Sequence, residues 1–198
     1  MNAKLTRKEQ KERTRSGLIT AARRLFVVNG IATTSTADVA KAMKLSHGAV
    51  FVHFQTRDEL IMSVIDDFGN RLSQEFNARI KGENVESVLE AHLAVLTEYE
   101  DFYFRLVSEM NSLPPKVRSM IFMLNAAVSW RLHETAQPLI ERGKIKKLTR
   151  PELFNTWMSL VNYHLVNREL FSDSLPILKV KGAELLKLYM NLIKGENQ

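Results

Sequence analysis

No cysteine occurs among the 198 residues. Disulfides and thiolate metal centres are therefore excluded, and a reducing cytoplasm is permitted. No apolar run approaches the ~20 residues that a membrane span needs, and the N-terminus lacks the apolar core of a signal peptide. These absences predict a soluble, cytoplasmic protein with no membrane partner. Internal repeats and low-complexity tracts are missing too. So are the motifs that carry common chemistries: His-Glu-x-x-His, a phosphate-cradling glycine loop and a Gly-x-Ser-x-Gly elbow. His133 and Glu134 are adjacent and cannot share one helix face. Glu98, Glu100 and Asp101 read as a solvated helix boundary. No enzymatic activity, cofactor or metal site is expected.

What is present is helix and basic charge. Hydrophobic residues make up 45% of the chain, enough for a sizeable core in one large domain or in a small and a larger one. Residues 1–60 hold 11 Lys/Arg against 5 Asp/Glu, whereas residues 61–198 hold 17 of each. The whole net charge of +6 thus sits in the first third, as expected of an end that binds a polyanion. Nucleic acid is the first candidate and a membrane surface the second.

Eight glycines and five prolines leave little to interrupt apolar residues that recur at three- and four-residue steps. Thr-x-x-Glu capping boxes mark helix starts at Thr6–Glu9, Thr56–Glu59 and Thr149–Glu152. The pattern predicts helices over Arg7–Val28, Ala37–Met43, His47–His53 and from Arg57 onward. It continues with Val85–Thr97, Tyr99–Asn111, Val117–Leu132, Pro151–Phe171 and Pro176–Ile193. Val117–Leu132 is apolar around most of its circumference and reads as a central buried helix that Pro138 kinks or ends. Arg142–Lys147 reads as an exposed loop.

Two short helices joined by about three residues predict a helix-turn-helix. Ala40 is small where they would cross, Leu45 lies in the turn and Val50 points back. Ser46 is a good N-cap, and Gly48 and Ala49 let the backbone approach DNA closely. Ser46, His47, Ala49 and His53 then face base edges or phosphates in a major groove. Thr34, Ser35 and Thr36 precede the first short helix; one of them caps it and the others, with the amides at that helix N-terminus, suit phosphate. Arg57 is placed to clamp a backbone phosphate. Phe51 and Phe54 read as core before they read as base-stacking residues.

Residues 14–61 resemble the DNA-binding domain of TetR-family transcriptional regulators. The likeness rests on Ala21-Ala22, Leu25-Phe26, Gly30, the Thr/Ser run, Asp38-Val39-Ala40, Ser46-x-Gly48, His53-Phe54 and Arg57–Leu60. It implies a homodimeric repressor, less often an activator, on an inverted-repeat operator in double-stranded DNA, usually released by a small molecule. By position it implies DNA contacts from Thr36, Ser46, His47, Gly48, Ala49, Phe51, Val52, His53 and Arg57. Two positions depart from the family. Phe51 stands where a tyrosine is usual, which removes about 0.5–1.5 kcal/mol of hydrogen bonding per subunit. Lys44 stands where glycine is usual, at a cost of ~1–2 kcal/mol if the backbone there is left-handed. Either a phosphate contact from Lys44 offsets this or the turn differs from the family's.

The expected architecture is all-α: a helix-turn-helix domain with a basic arm from Lys4 to Arg15 (residues 1–55), joined by a long helix to a helical ligand-binding and dimerisation domain (residues 56–198). Expected dimer contacts are Trp157, Val161, His164, Leu165, Leu185, Leu188, Tyr189 and Leu192, because the last two helices are apolar on more than one face. Expected lining for a largely apolar effector site is Phe102, Tyr103, Met110, Phe122, Met123, Trp130, Trp157 and Tyr163, with Phe104 and Met120. The fourth helix is the expected lever between effector and DNA. Two alternatives remain open. One is a DNA-binding regulator controlled by a protein partner instead of an effector; the other is a ligand-binding or catalytic helical protein whose basic end only aids solubility.

Overall fold

The computed structural model describes residues 6–171 and 176–195, so Lys4 of the predicted arm lies outside the described residues. Among the described residues the chain forms ten α-helices: α1 Arg7–Asn29, α2 Thr36–Ala42, α3 His47–Phe51, α4 Arg57–Arg79, α5 Val85–Glu98, α6 Glu100–Ser108, α7 Pro115–Met123, α8 Ala126–Glu141, α9 Arg150–Val166 and α10 Ile177–Ile193. Two compact units result. One runs up to Phe68 and takes in Ser108–Ile121; the other comprises Gly69–Val107 and the chain from Phe122 on. The first unit therefore recruits a segment from the middle of the sequence.

The caps explain several boundaries. At Thr6 the hydroxyl accepts from Glu9 N–H while Glu9 accepts from Thr6 N–H, and Thr149 and Glu152 pair in the same way. At Thr56 the reciprocity slips by one residue: Glu59 N–H donates to the Thr56 hydroxyl, but its carboxylate accepts from Gln55 N–H. Gly30 ends α1 at φ 93°, where glycine alone escapes a steric penalty.

In the first unit Leu18, Ala22 and Phe26 of α1 share a core with Val39, Val50, Phe54, Leu60, Val64 and Phe68, and Leu113 and Val117 are buried in the same unit. The second unit is a closed ring of packed helices, α5 on α10, α10 on α9, α9 on α8 and α8 on α5.

Three expectations are corrected here. The predicted helix over Val117–Leu132 is two helices broken at Leu124-Asn125, because the Asn125 amide is committed to buried partners outside its own helix. Pro138 lies inside α8, three residues before its end. In Arg142–Lys147, Ile145 is buried and bridges Lys194, with Lys146 N–H donating to the Ile193 carbonyl at 2.9 Å.

Glu100 is a further correction. It is buried, and its two carboxylate oxygens accept from Ile177 N–H at 2.7 Å and Leu178 N–H at 2.8 Å. It caps α10, whose own N-cap, Pro176, makes no side-chain cap bond. Burial, the largest influence, raises its pKa.

Candidate nucleic-acid interface

The sequence Ser35–Asp38 starts α2 with a reciprocal cap. Ser35 N–H donates to Asp38 at 2.9 Å, and Asp38 N–H donates to the Ser35 hydroxyl at 3.2 Å. Bonds from the Ser35 side chain and backbone hold the Asp38 pKa down. At the other end Lys44 N–H donates to Lys41 and Leu45 N–H to Ala40. Those two bonds form a Schellman turn, which needs a left-handed residue at Lys44; its φ is 55°. The lysine thus occupies the strained site that glycine would fill freely. Ala40 is buried, as a close helix crossing needs, and Val50 of α3 is buried too.

This turn presents α3 outward. Ser46, His47, Gly48, Phe51 and Val52 are exposed, as is Lys44, and Ala49 and His53 are half-buried. Ser46 is the N-cap by backbone geometry, yet its side chain makes no cap bond. A Cβ at Gly48 would meet no atom of the chain within 4 Å. Glycine in a helix costs about 0.5–1 kcal/mol relative to alanine, and here no internal packing requires it. His47 is fixed from both sides. Its Nε2 shares a 2.9 Å hydrogen bond with the Thr36 hydroxyl, and its ring meets Phe51 edge-on at 5.0 Å. Phe54 is core while Phe51 is 44% exposed.

Three of the expected phosphate ligands, Thr34, Thr36 and Arg57, are engaged within the chain, and exposed Ser35 is the residue of the run that caps α2. Thr34 and Thr36 are buried. The Thr34 hydroxyl donates to the Gly30 carbonyl at 2.7 Å, Thr36 is joined to His47, and Ser35 is occupied with Asp38. Arg57 donates to the carbonyls of Thr34 at 2.8 Å, Ala32 at 3.0 Å and Ile31. It clamps the chain's own α1–α2 loop where a phosphate had been expected. No residue pattern signals this, because the acceptors are backbone oxygens.

His53 packs against the basic helix α1. Its Nδ1 is buried without a hydrogen-bond partner. Burial, and then the charges of Lys11 and Arg15, hold its pKa down. Arg15 lies over the Phe54 ring at 4.8 Å and donates to Ser63 at 3.0 Å.

The second unit holds a buried polar chain that the periodicity did not reveal. Trp157 Nε1–H donates to His92 Nδ1 at 3.0 Å. The ring proton of His92 is therefore on Nε2, which faces Asn125 Oδ1 at 3.3 Å. Asn125 Nδ2 donates to the Tyr103 hydroxyl at 3.1 Å. All four side chains are buried. Burial pushes His92 down to about 4 and Tyr103 up to about 12.

Of the expected effector lining, Tyr103 and Trp157 come together in this buried polar chain, and the other residues are scattered. Phe102, Tyr103 and Trp157 are core. Met110 lies in the segment that joins the first unit. Phe122 (72%), Met123 (65%), Trp130 and Tyr163 are exposed, with Arg150 over the Trp130 ring at 4.6 Å. Of the remaining lining candidates, Phe104 and Met120 are half-buried. Of the expected dimer contacts, Trp157, Val161, Leu165, Leu185 and Tyr189 are buried by their own chain. His164 is half-buried, with Nδ1 2.8 Å from the Leu160 carbonyl. Leu188 (43%) and Leu192 (45%) stay exposed on α10 with Val180, and Tyr163 and Val166 on α9. Apolar spacing identified the helices but not which stripe faces inward.

Residues 18–64 match the sequence profile described as "Bacterial regulatory proteins, tetR family". The HTH-type transcriptional repressor Rv3405c of Mycobacterium tuberculosis is 35% identical over 86 residues, 43% of this chain and 46% of that protein. The HTH-type transcriptional regulator TtgR of Pseudomonas putida is 37% identical over 59 residues, 30% of this chain and 28% of that protein. The chain spans less than half the length of these curated relatives. Among solved structures, FadR of Bacillus subtilis in complex with stearoyl-CoA superposes with a TM-score of 0.75 at 15% identity, over 90% of this chain and 98% of that one. The TetR-family regulator PfmR of Thermus thermophilus does so at 0.67 and 20% identity, over 91% and 99%. The fold is therefore shared along nearly the whole length, and the sequence likeness is concentrated at the N-terminus.

Proposed function

We propose that this chain, whose residues 18–64 match the profile of the tetR family of bacterial regulatory proteins, is a cytoplasmic, sequence-specific DNA-binding repressor of that family. In this reading residues 1–55 read the DNA, and residues 56–198 dimerise and bind a small, largely apolar effector. The observation that carries it is α3. A short helix on a basic unit exposes Ser46, His47, Gly48, Phe51 and Val52, and its glycine has no packing role within the chain. Open space at Gly48 suits an approach by something outside the chain, and a major groove admits a helix whose first turn carries small and polar groups. Lys41 and Lys44 precede that helix and carry exposed positive charge.

Two copies reading one inverted repeat need a self-complementary contact. The exposed apolar side chains of α9 and α10, Tyr163, Val166, Val180, Leu188 and Leu192, supply one. The apolar effector draws on the likeness to FadR of Bacillus subtilis in complex with stearoyl-CoA. Exposed Phe122 and Met123 favour a second reading, in which a protein partner takes the effector's place.

Selection of random duplex DNA by the full chain at ~0.15 M salt, where non-specific attraction is screened, tests the proposal. Enrichment of an inverted repeat is expected. A folded chain that enriches nothing sinks the proposal.

A further inference from the structure

The α1–α2 loop, residues 30–35, is held by side chains from two distant segments. Arg57 takes the carbonyls of Ile31, Ala32 and Thr34. The Ala32 N–H donates at 2.8 Å to Glu109, 77 positions further along the chain. Gly30 makes room for that carboxylate: a Cβ there would stand 2.9 Å from Glu109 Oε1. The Thr34 hydroxyl closes the loop onto the Gly30 carbonyl. Backbone groups of a six-residue loop are thus satisfied mainly from outside it, and its shape follows whatever positions Arg57 and Glu109.

That loop leads straight into the reading helix. Ser35 caps α2, and Thr36, the first residue of α2, is hydrogen-bonded to His47, the first residue of α3. Glu109 itself stands one residue beyond α6. It opens the segment Ser108–Ile121, which belongs to the first unit, whereas α6 up to Val107 belongs to the second. Of the three places where the chain crosses between the units, the one after α6 therefore passes through Glu109 before it reaches α7.

We propose that Glu109 is a positioning residue: its bond to Ala32 sets the α1–α2 loop and, through Thr36, the orientation of His47 at the start of α3. Any shift at the end of α6 then reaches the recognition helix by a route separate from α4. This rests on the DNA-binding reading above. The bond is made to a charged acceptor, which is worth more than a neutral one, so its loss is expected to weaken specific binding by roughly tenfold.

The test compares full-length wild type, Glu109→Ala and Glu109→Gln. The affinity for the selected operator and for a scrambled duplex is measured at one salt concentration. Solution NMR follows Ala32 amide exchange and the His47 ring without DNA, and urea unfolding follows the fold. E109A is expected to lose about tenfold on the operator and to keep its scrambled-duplex affinity within twofold. Its Ala32 amide exchanges faster and its His47 ring signals move. E109Q, whose amide oxygen accepts the same N–H, is expected to stay close to wild type in every readout. An unchanged His47 ring in E109A overturns the proposal. So does a parallel loss of both affinities with a fall in the urea midpoint, which makes Glu109 a folding residue. If the wild type selects no operator, the DNA-binding reading fails by itself. The exchange and ring measurements then still decide whether Glu109 positions α3.

Discussion

Replacement of Lys44 by glycine is expected to separate stability from DNA affinity. Lys44 sits at φ 55° in the turn between α2 and α3. A left-handed conformation costs an L-residue ~1–2 kcal/mol, and glycine removes that cost. Against this, glycine's freer unfolded chain gives back about 0.5–1 kcal/mol. The balance favours K44G by about 0.5–1 kcal/mol, or roughly 1–4 °C in Tm for a chain of this size. The turn's two backbone bonds, from Lys44 and Leu45, do not involve the side chain and survive the change. The ammonium does not. If it meets a phosphate, log K against log salt flattens by about 0.9 per subunit and ~1.8 per dimer. Differential scanning calorimetry and operator titrations over a salt series read the two effects. A lower Tm in K44G would refute the strain argument. A raised Tm with an unchanged salt slope would show that the strain is not offset at the phosphates.

Leu188→Glu with Leu192→Glu is expected to give a folded monomer without operator binding, seen by sedimentation and circular dichroism; a dimer that persists removes α10 from the interface. Glu100→Ala leaves two buried amides at the start of α10 unpaired and is expected to lower unfolding free energy by about 2–4 kcal/mol in urea. A loss below 1 kcal/mol would mean that α10 starts without that cap. The His92 pKa falls from 6.5 to about 4 in the folded chain, so in that window the unfolded state binds more protons and stability drops as pH falls. The full loss is about 3 kcal/mol, with the Trp157 N–H already aimed at the nitrogen that would be protonated. Urea unfolding from pH 7 to 4 should show that loss in the wild type but not in His92→Gln; parallel profiles would discount His92.

Much of the fold was legible because it depends on local signals. Thr6, Ser35 and Thr149 start helices by bonds spanning three residues, and Gly30 stops one. The helix-turn-helix was legible for the same reason: Ala40, Leu45 and Val50 are close in sequence, and small residues at the start of α3 are unusual unless something approaches. Even the strain at Lys44 followed from one position in one turn. The break at Leu124-Asn125 was missed because periodicity counts apolar residues and gives no weight to a single asparagine whose partners are far along the chain.

The site was less legible, and the misreadings share a cause. Arg57, Thr34 and Thr36 have the right chemistry for phosphate, but each found a partner inside the protein first. A guanidinium near three free carbonyls of one loop gains bonds that do not depend on salt, whereas a phosphate contact is screened. Glu100, Asn125 and Glu109 show the converse. Each was assigned to solvent, to a helix interior or to nothing, and each bonds across 22 to 78 positions of sequence. Helical spacing carries no information at that range. What does carry some is the cost of an unsatisfied buried backbone group. A proline-started helix such as α10 needs an acceptor from elsewhere, and so does a loop bounded by a left-handed glycine. Polar residues that no local motif explains are the supply, and Glu100 and Glu109 fill those two needs.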